Sequence, residues 1–169
     1  MILQNSIEKI KSEFSHHVLE ESEFAGDTSL HINGEKVLDI LKLLKNEGFN
    51  FLSDLTAVDN LDIGRHERFA VVYHLLSHES AERLTVKAYI SEDNLKLQSV
   101  ESLWKTADWQ EREVFDLYGI EFEGHPNLIR ILNPEDYKGY PLRKDYSRVG
   151  RGERRDFNIV KRRVGSKFE

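Results

Sequence analysis

The segment EKVLDILKLLKNEG, residues 35–48, carries the clearest helical pattern in the chain. Lys42 and Lys45 suit the negative C-terminal end of a helix, and Gly48 can take the left-handed conformation that ends one. Apolar residues recur at the spacing of an amphipathic helix, and they are Val37, Leu38, Ile40, Leu41, Leu43 and Leu44. We therefore predict a helix here.

The chain before this helix predicts a further helix and a hairpin. Residues 2–14 place apolar side chains at spacings of three and four, which indicates an amphipathic helix. Residues 17–24 and 28–32 are short strand-like runs. Gly26-Asp27 separates them, which favours a turn between two paired strands.

Three more strands are predicted after the helix, at residues 49–58, 68–76 and 84–90. Residues 84–90 alternate apolar and polar side chains, so one face of the sheet should contact solvent. The order α-β-β-α-β-β-β predicts an α+β fold, a two-layer domain of helices on a mixed sheet. Strands and helices do not alternate regularly, which disfavours a doubly wound nucleotide-binding fold.

The pattern changes after residue 98. Residues 99–105 predict a short helix, and Asp108 with Glu111 three residues later resembles a capping box at the start of a second one. Gly119 should end that helix, and coil is predicted beyond it. We predict three parts, a compact α+β domain (1–98), a segment of short helices and an interface loop (99–146), and an extended basic tail (147–169).

Charge is distributed unevenly between the body and the tail. Residues 147–169 carry eight Lys/Arg and three acids, or +5, which leaves -11 for residues 1–146 of a chain whose net charge is -6. The chain has no cysteine, which excludes disulfides and thiolate metal sites and favours a reducing compartment. No apolar run approaches the length needed to span a bilayer.

Residues 111–116 concentrate charge within two helical turns, as Glu111, Arg112, Glu113 and Asp116. Glu113 and Asp116 are spaced as an acid/base pair for a carboxylate hydrolase would be. However, Arg112 is the i,i+4 partner of Asp116 and would keep the acids ionised. A surface ion-pair network, and anchoring of the following loop or of a partner, are the alternatives that remain open.

Histidine spacing predicts no metal site. His125 has no second ligand at helix or hairpin spacing, and His74 with His78 lie at the end of a strand, where they do not converge. His16 and His17 are adjacent and would point to opposite faces of a strand.

The two basic regions near the C-terminus favour contact with a partner. Residues 141–146, PLRKDY, combine a rigid proline with Arg and Tyr, both of which are common anchors at interfaces. The tail could instead bind nucleic acid. The acidic body would repel phosphate and no nucleic-acid motif is present, so an acidic protein partner fits the tail better.

Residues 111–146, EREVFDLYGIEFEGHPNLIRILNPEDYKGYPLRKDY, resemble the signature of one known family. The match covers Glu111-Arg112-Glu113, the run 116–120, Phe122, Gly124-His125-Pro126, Leu128, Arg130-Ile131-Leu132 and the run 141–146. The pattern is similar to that of the C subunit of proton-pumping NADH:quinone oxidoreductase, respiratory complex I. The order of upstream elements is similar as well.

Two residues and one short segment depart from that family's usual pattern. Ile129 stands where the family usually has a basic residue, and Tyr140 stands where many members have His. Residues 133–137 resemble the shorter version found in photosynthetic-type complexes, which take electrons from ferredoxin. The resemblance therefore leaves NADH and ferredoxin open as electron donors.

The resemblance implies a non-catalytic structural subunit of the quinone module, on the cytoplasmic face of a bacterial inner membrane or its stromal or matrix equivalent. Such a subunit holds no cofactor. Iron–sulfur clusters and quinone belong to partner subunits, with FMN as a further candidate. The predicted partners are the quinone-cavity subunit and the iron–sulfur subunits. The residues predicted to contact them are Glu111, Arg112, Glu113, Asp116, His125, Pro126, Arg130, Pro141, Arg143, Lys144, Asp145, Tyr146, Arg154, Arg155, Arg162 and Arg163.

Overall fold

The computed structural model describes residues 2–64, 66–147 and 149. Within these residues the predicted order of helices and strands is confirmed as far as the fifth strand. The elements are α1 (Ile2–Glu13), β1 (Val18–Phe24), β2 (Asp27–Asn33), α2 (Val37–Asn46), β3 (Phe51–Asp59), β4 (Phe69–Leu76), β5 (Arg83–Ile90), β6 (Lys96–Gln98), α3 (Ala107–Tyr118) and β7 (Glu121–Glu123). The predicted α+β class with a mixed sheet is therefore confirmed.

Five strands form the main sheet in the order β1-β2-β5-β4-β3. β2 and β5 are parallel, while the other neighbours are antiparallel. The alternation predicted for β5 is observed, because Leu84, Val86, Ala88 and Ile90 are buried and the residues between them are half-buried. The outer face thus carries polar side chains, as an antiparallel region with one covered face should.

One continuous hydrophobic core joins the sheet to the helices. It includes Ile10 of α1 and Leu41 of α2, and it extends beyond residue 98 to Val100 and Val114. α3 packs against β3. The predicted boundary at residue 98 therefore lies inside a single core. None of the helices in the described residues is long and apolar enough to cross a bilayer.

Residues 99–105 do not form the predicted helix. They form consecutive turns, because the N–H of Val100 donates to the side chain of Glu111 and the indole N–H of Trp104 donates to the carbonyl of Asn50. The predicted capping box is also wrong, since Thr106 precedes α3 with no side-chain cap. The carboxylate of Glu111 is occupied by residues upstream of the helix.

A second, two-stranded sheet was not predicted from the sequence. β6 and β7 pair in parallel, with Leu97 opposite Phe122. The prediction of coil throughout the chain after Gly119 is therefore wrong for Glu121–Glu123. Each strand has only three residues, which is too short for a periodic pattern to be visible in the sequence.

Gly119 ends α3 in the left-handed conformation, with φ of 74°, and a Cβ there would overlap the ring of Tyr140. We expect Gly119→Ala to lower the free energy of unfolding by about 1–2 kcal/mol from backbone strain and by a further ~1–3 kcal/mol from overpacking. Chemical denaturation measures this loss.

Gly26→Ala is the matched control. Gly26 also has a positive φ, 87°, but a Cβ at this position meets nothing within 4 Å. This variant should lose only the strain component. Equal losses in the two variants would contradict the packing of Tyr140 on the end of α3.

Candidate functional site

α3 presents its charged residues in different directions, and this arrangement organises the site. Glu111 and Asp116 are fully buried, whereas Glu113 is exposed and Arg112 is half-buried. One of the two buried acids bonds residues that precede the helix in the sequence, and the other bonds residues that follow it. Of the alternatives left open by the sequence, the surface ion-pair network does not fit the two buried acids, and anchoring of the following loop is what the structure shows for Asp116.

The carboxylate of Asp116 binds the loop at residues 130–133. Its Oδ1 accepts from Arg130 Nη1 at 2.6 Å and from the Asn133 side chain at 3.0 Å. Its Oδ2 accepts three consecutive backbone N–H groups, those of Ile131, Leu132 and Asn133, at 3.1, 2.7 and 2.8 Å. Burial pushes the pKa of Asp116 up, but these hydrogen bonds outweigh it and lower the pKa to about 2.

Arg112 contacts the same loop from the other side. Its Nε and Nη2 donate to the carbonyls of Ile129 at 3.2 Å and Arg130 at 3.4 Å. The predicted i,i+4 ion pair with Asp116 is wrong, because Arg130 holds that carboxylate. Arg112 also lies 5.6 Å above the ring of Trp109, so its guanidinium joins the loop to an exposed aromatic side chain.

Glu111 fixes the turns that precede α3. Its Oε2 accepts from Ser99 Oγ at 2.6 Å, and its Oε1 accepts from the Val100 N–H at 2.7 Å. Burial raises the pKa of Glu111 to about 7, although both hydrogen bonds act to lower it. Burial likewise raises the pKa of the nearby Tyr73 hydroxyl, with a smaller contribution from the charge of Glu111.

The side chain of His125 is fully buried and acts as a bridge. Its Nδ1 accepts from the Asn127 N–H at 3.0 Å. That bond leaves Nε2 to carry the proton and donate to Asp108, whose carbonyl and carboxylate oxygens lie at 3.1 and 3.2 Å. The imidazole therefore ties the turn after β7 to the first turn of α3.

The predicted interface loop, residues 141–146, folds onto the chain's own body. Arg143 Nε donates to the Tyr118 carbonyl at 2.6 Å, and its guanidinium lies 4.4 Å above the ring of Tyr140. The Leu142 N–H donates to the carbonyl of Leu117 at 3.2 Å. This segment is therefore a strap across the C-terminal end of α3.

A buried ion pair holds the end of this strap. Asp59 accepts two hydrogen bonds from Arg68, at 2.9 and 3.0 Å, and one from the Lys144 N–H at 2.9 Å. Arg68 also pairs with Asp145 at 3.1 Å. Burial acts to raise the pKa of Asp59, but the bonds to Arg68 and Lys144 lower it overall. Bidentate pairing of this kind fixes orientation as well as charge.

The structure gives the predicted interface residues two different roles. Glu111, Asp116 and His125 have no exposed side-chain surface, so they can act on a partner only by shaping the chain around them. Arg112, Arg130, Pro141, Arg143 and Tyr146 are half-buried, while Glu113, Pro126, Lys144 and Asp145 are exposed. Arg154, Arg155, Arg162 and Arg163 lie outside the described residues.

Exposed apolar residues in and beside the loop at residues 130–133 were not predicted from the sequence. Trp109 is 64% exposed, and Ile129 and Leu132 are also exposed. We define Trp109, Arg112 and Ile129 as the Trp109 face, since Arg112 contacts both of the others. The i,i+3 spacing of Trp109 and Arg112 in the sequence indicated that their side chains would be neighbours on a helix. Ile129 lies in a segment without helix or strand, so its exposure could not be predicted from a periodic pattern.

The carboxylate-hydrolase alternative does not fit this geometry. An acid/base pair needs one carboxyl group that changes its protonation near neutral pH. Asp116 is ionised down to a pKa of about 2 and is saturated with donors, while Glu113 is exposed. Glu113 and Asp116 therefore do not form such a pair.

Asp116→Asn should destabilise the chain by about 3 kcal/mol or more, because it leaves Arg130 without its buried partner charge and turns an amide NH₂ toward backbone donors. Urea denaturation at neutral pH measures the loss. Glu113→Gln, an exposed position on the same helix, is the control and should change the free energy of unfolding by less than about 0.5 kcal/mol. A small effect of Asp116→Asn would show that the loop does not depend on this carboxylate.

Glu111 should make stability fall as pH rises. Its folded pKa, about 7, lies above the ordinary value of 4.5. Its contribution is therefore complete below pH 4.5 and is lost as pH rises through 7, by about 1.4 kcal/mol per pH unit at most. Glu111→Gln removes the titration, so the difference in free energy of unfolding between wild type and this variant should shift within that window.

Glu113→Gln provides the control for this measurement, and its pH profile should run parallel to wild type. A wild-type minus Glu111→Gln difference that stays constant between pH 4.5 and 8 would contradict the burial of an ionisable Glu111.

Known proteins share both the sequence and the fold of this chain. The family model described as "Respiratory-chain NADH dehydrogenase, 30 Kd subunit" matches residues 30–152. The NADH-quinone oxidoreductase C subunit of Citrifermentans bemidjiense is 43% identical over 86% of this chain and 89% of its own length. The corresponding protein of Geobacter sulfurreducens is 42% identical over 84% and 88%.

Two solved structures resemble the fold. The trypsin-resistant fragment (1–134) of Nqo5 matches with a TM-score of 0.69 and 34% identity, over 76% of this chain and 100% of that one. A chain of the membrane-bound sulfane sulfur reductase, an archaeal respiratory membrane complex, matches with a TM-score of 0.73 over 97% and 96%, and at 24% identity it supports the fold alone. The chain belongs to the 30-kDa subunit family of respiratory-chain NADH dehydrogenase, which includes the NADH-quinone oxidoreductase C subunits.

Proposed function

We propose that this chain is a structural subunit in the peripheral arm of a proton-pumping quinone oxidoreductase, and that it carries no catalytic group of its own. The observation that carries the proposal is the internal use of the signature charges. Asp116 and Glu111 accept hydrogen bonds from neighbouring chain segments, and Lys144 of the signature donates to Asp59 on β3. These groups hold a surface in shape, and the reaction belongs to partner subunits.

The Trp109 face is the proposed docking surface for a neighbouring subunit. Interfaces are enriched in Trp and Arg, which bury a large area and pair with carboxylates and carbonyls. Trp109 and Ile129 are exposed, and Arg112 lies between them. The two terminal nitrogens of the Arg130 guanidinium donate to Asp116 and to the Gly139 carbonyl. Because Arg130 is held in this way, the face would be preformed and would bind without a large ordering cost.

The partners proposed for this face are the subunit that forms the quinone cavity and the iron–sulfur subunits beside it. These partners would hold the iron–sulfur clusters and the quinone, with FMN as a further candidate, while this chain holds none. Membrane contact would occur through the complex, on the cytoplasmic side or its equivalent. The basic clusters of residues 147–169 would contact an acidic partner.

The residues that depart from the family's usual pattern bear on the electron donor. Ile129 places an apolar side chain on the docking face, and the ring of Tyr140 lies between Arg130 and Arg143 at 5.4 and 4.4 Å. Ile129 lies on the proposed interface and Tyr140 contacts Arg130 in the loop that supports it, so we propose that the neighbouring subunit differs here from its usual form. NADH and ferredoxin both remain candidate donors.

A tagged copy in its native host provides the test of this function. Gentle extraction and mass spectrometry should recover quinone-cavity and iron–sulfur subunits in stoichiometric amounts. NADH-oxidising flavoprotein subunits would be present if NADH is the donor and absent if ferredoxin is. Recovery of the tagged chain alone, or with nucleic acid, would contradict the proposal and favour the tail as a nucleic-acid-binding arm.

Trp109→Ala should weaken this association without unfolding the chain. Loss of a central aromatic anchor costs about 2 kcal/mol or more at an interface, so the variant should recover less than about a tenth of the partner subunits. Its free energy of unfolding should stay near wild type because Trp109 is exposed. The recovered partners are quantified against the tagged chain by mass spectrometry.

Phe24→Ala is the matched control, since Phe24 is an aromatic residue 85% exposed at the distant β1–β2 turn. It should recover partners as wild type does. Equal recovery by all three proteins would show that the Trp109 face is not a docking surface.

A further inference from the structure

The outer face of the sheet carries a second cluster of polar side chains, far in sequence from the signature segment. Glu20 on β1 and His31 on β2 are direct cross-strand partners. His66 approaches them from the connection between β3 and β4, with Nε2 3.4 Å from Glu20 Oε2. One ligand atom from each residue lies within 4.8 Å of the other two.

We propose that Glu20, His31 and His66 form a binding site for one divalent transition-metal ion such as Zn²⁺. Two imidazoles and a carboxylate are a common set of three protein ligands for this ion, with a fourth position left to water. Bonds of about 2.0–2.1 Å in a tetrahedron place ligand atoms about 3.4 Å apart. The Glu20–His66 distance already has this value, and the ligand atoms lie within 4.8 Å of one another, so binding requires a movement of at most about 1.4 Å toward His31.

The ligands differ in burial in a way that permits this movement. His31 is only 8% exposed and is held in place, whereas the side chains of His66 and Glu20 are 22% and 35% exposed. The fixed imidazole would define the position of the ion, and the other two side chains would close on it. A cavity of about 580 Å³ is lined in part by His66 and Tyr89, and an ion would reach the site from this side.

Hydroxyl groups on either side of His31 would orient it as a ligand. Ser22 Oγ lies 3.0 Å from Nε2, and the Tyr89 hydroxyl lies 3.1 Å from Nδ1. The ion would replace the hydroxyl partner of one ring nitrogen. The other nitrogen would keep its hydroxyl partner and so fix the tautomer, as outer hydrogen bonds do around metal-bound histidines. The Tyr89 and His66 rings also contact edge to face at 4.7 Å.

The ion would connect the β1–β2 hairpin to the chain segment that holds the end of the strap. His66 lies two residues before Arg68, which holds Asp59 and Asp145. Fixing His66 to the β1–β2 hairpin would therefore restrain the connection that positions Arg68. The alternative is that Glu20 and His66 form only a surface ion pair, which contributes little to stability.

Titration of the full-length, untagged, chelator-treated chain with ZnCl₂ in a calorimeter distinguishes these cases. We expect one ion per chain and a rise in melting temperature that follows the ion concentration. His66→Gln and Glu20→Gln should each weaken binding at least tenfold. Binding of Co²⁺ in place of Zn²⁺ should give the intense visible absorption of a tetrahedral site. This absorption should be lost in both variants.

Control variants distinguish this site from the other histidines of the chain, and they do not require that His31 tolerate substitution. His74→Gln changes a histidine on the same sheet that bonds Thr85 Oγ1 at 3.0 Å, and it should bind zinc as wild type does. Wild-type affinity in both His66→Gln and Glu20→Gln would overturn the site. Loss of binding through His16→Gln or His17→Gln instead, or no stoichiometric binding in wild type, would overturn it as well.

Discussion

The hydrogen bonds of the buried Asp116 carboxylate are the interaction on which the C-terminal third of the described chain depends. One side chain binds the guanidinium of Arg130 and three consecutive backbone N–H groups of the following loop. Three residues after Asp116, Gly119 turns the chain back so that Tyr140 can pack on the helix end. Without this carboxylate the loop would have no partner for its donors, and the Trp109 face would lose its support.

Two other buried acids repeat the same principle. Asp59 accepts the N–H groups of Leu61 and Lys144, and Glu111 accepts that of Val100. Irregular segments leave backbone donors that no helix or strand can satisfy, and a buried donor without a partner is costly. Among the described residues, these acids therefore accept backbone N–H groups that lie outside helices and strands. Part of the negative charge of the body is structural and does not serve to attract a partner.

Local patterns in the sequence predicted the fold better than the site. The α2 helix and the alternation of β5 follow from spacings within about ten residues, so they were visible. The prediction of a capping box was wrong because the carboxylate of Glu111 accepts hydrogen bonds from Ser99 and Val100. The predicted ion pair between Arg112 and Asp116 was wrong because Arg130, fourteen residues from Asp116, binds that carboxylate. Glu20 opposite His31 follows from counting back from the Ala25-Gly26 turn, but His66 joins them only in three dimensions.

The signature segment is held against the chain's own body by these bonds, so it should have its shape before any partner binds. Hydrogen–deuterium exchange on the isolated full-length chain measures this. We expect strong protection of the amides of Ile131, Leu132 and Asn133, which lie in a segment without helix or strand but donate to Asp116. Exchange of these three amides at the rate of an unstructured peptide would contradict it, because the segment would then take its shape only in the assembled complex.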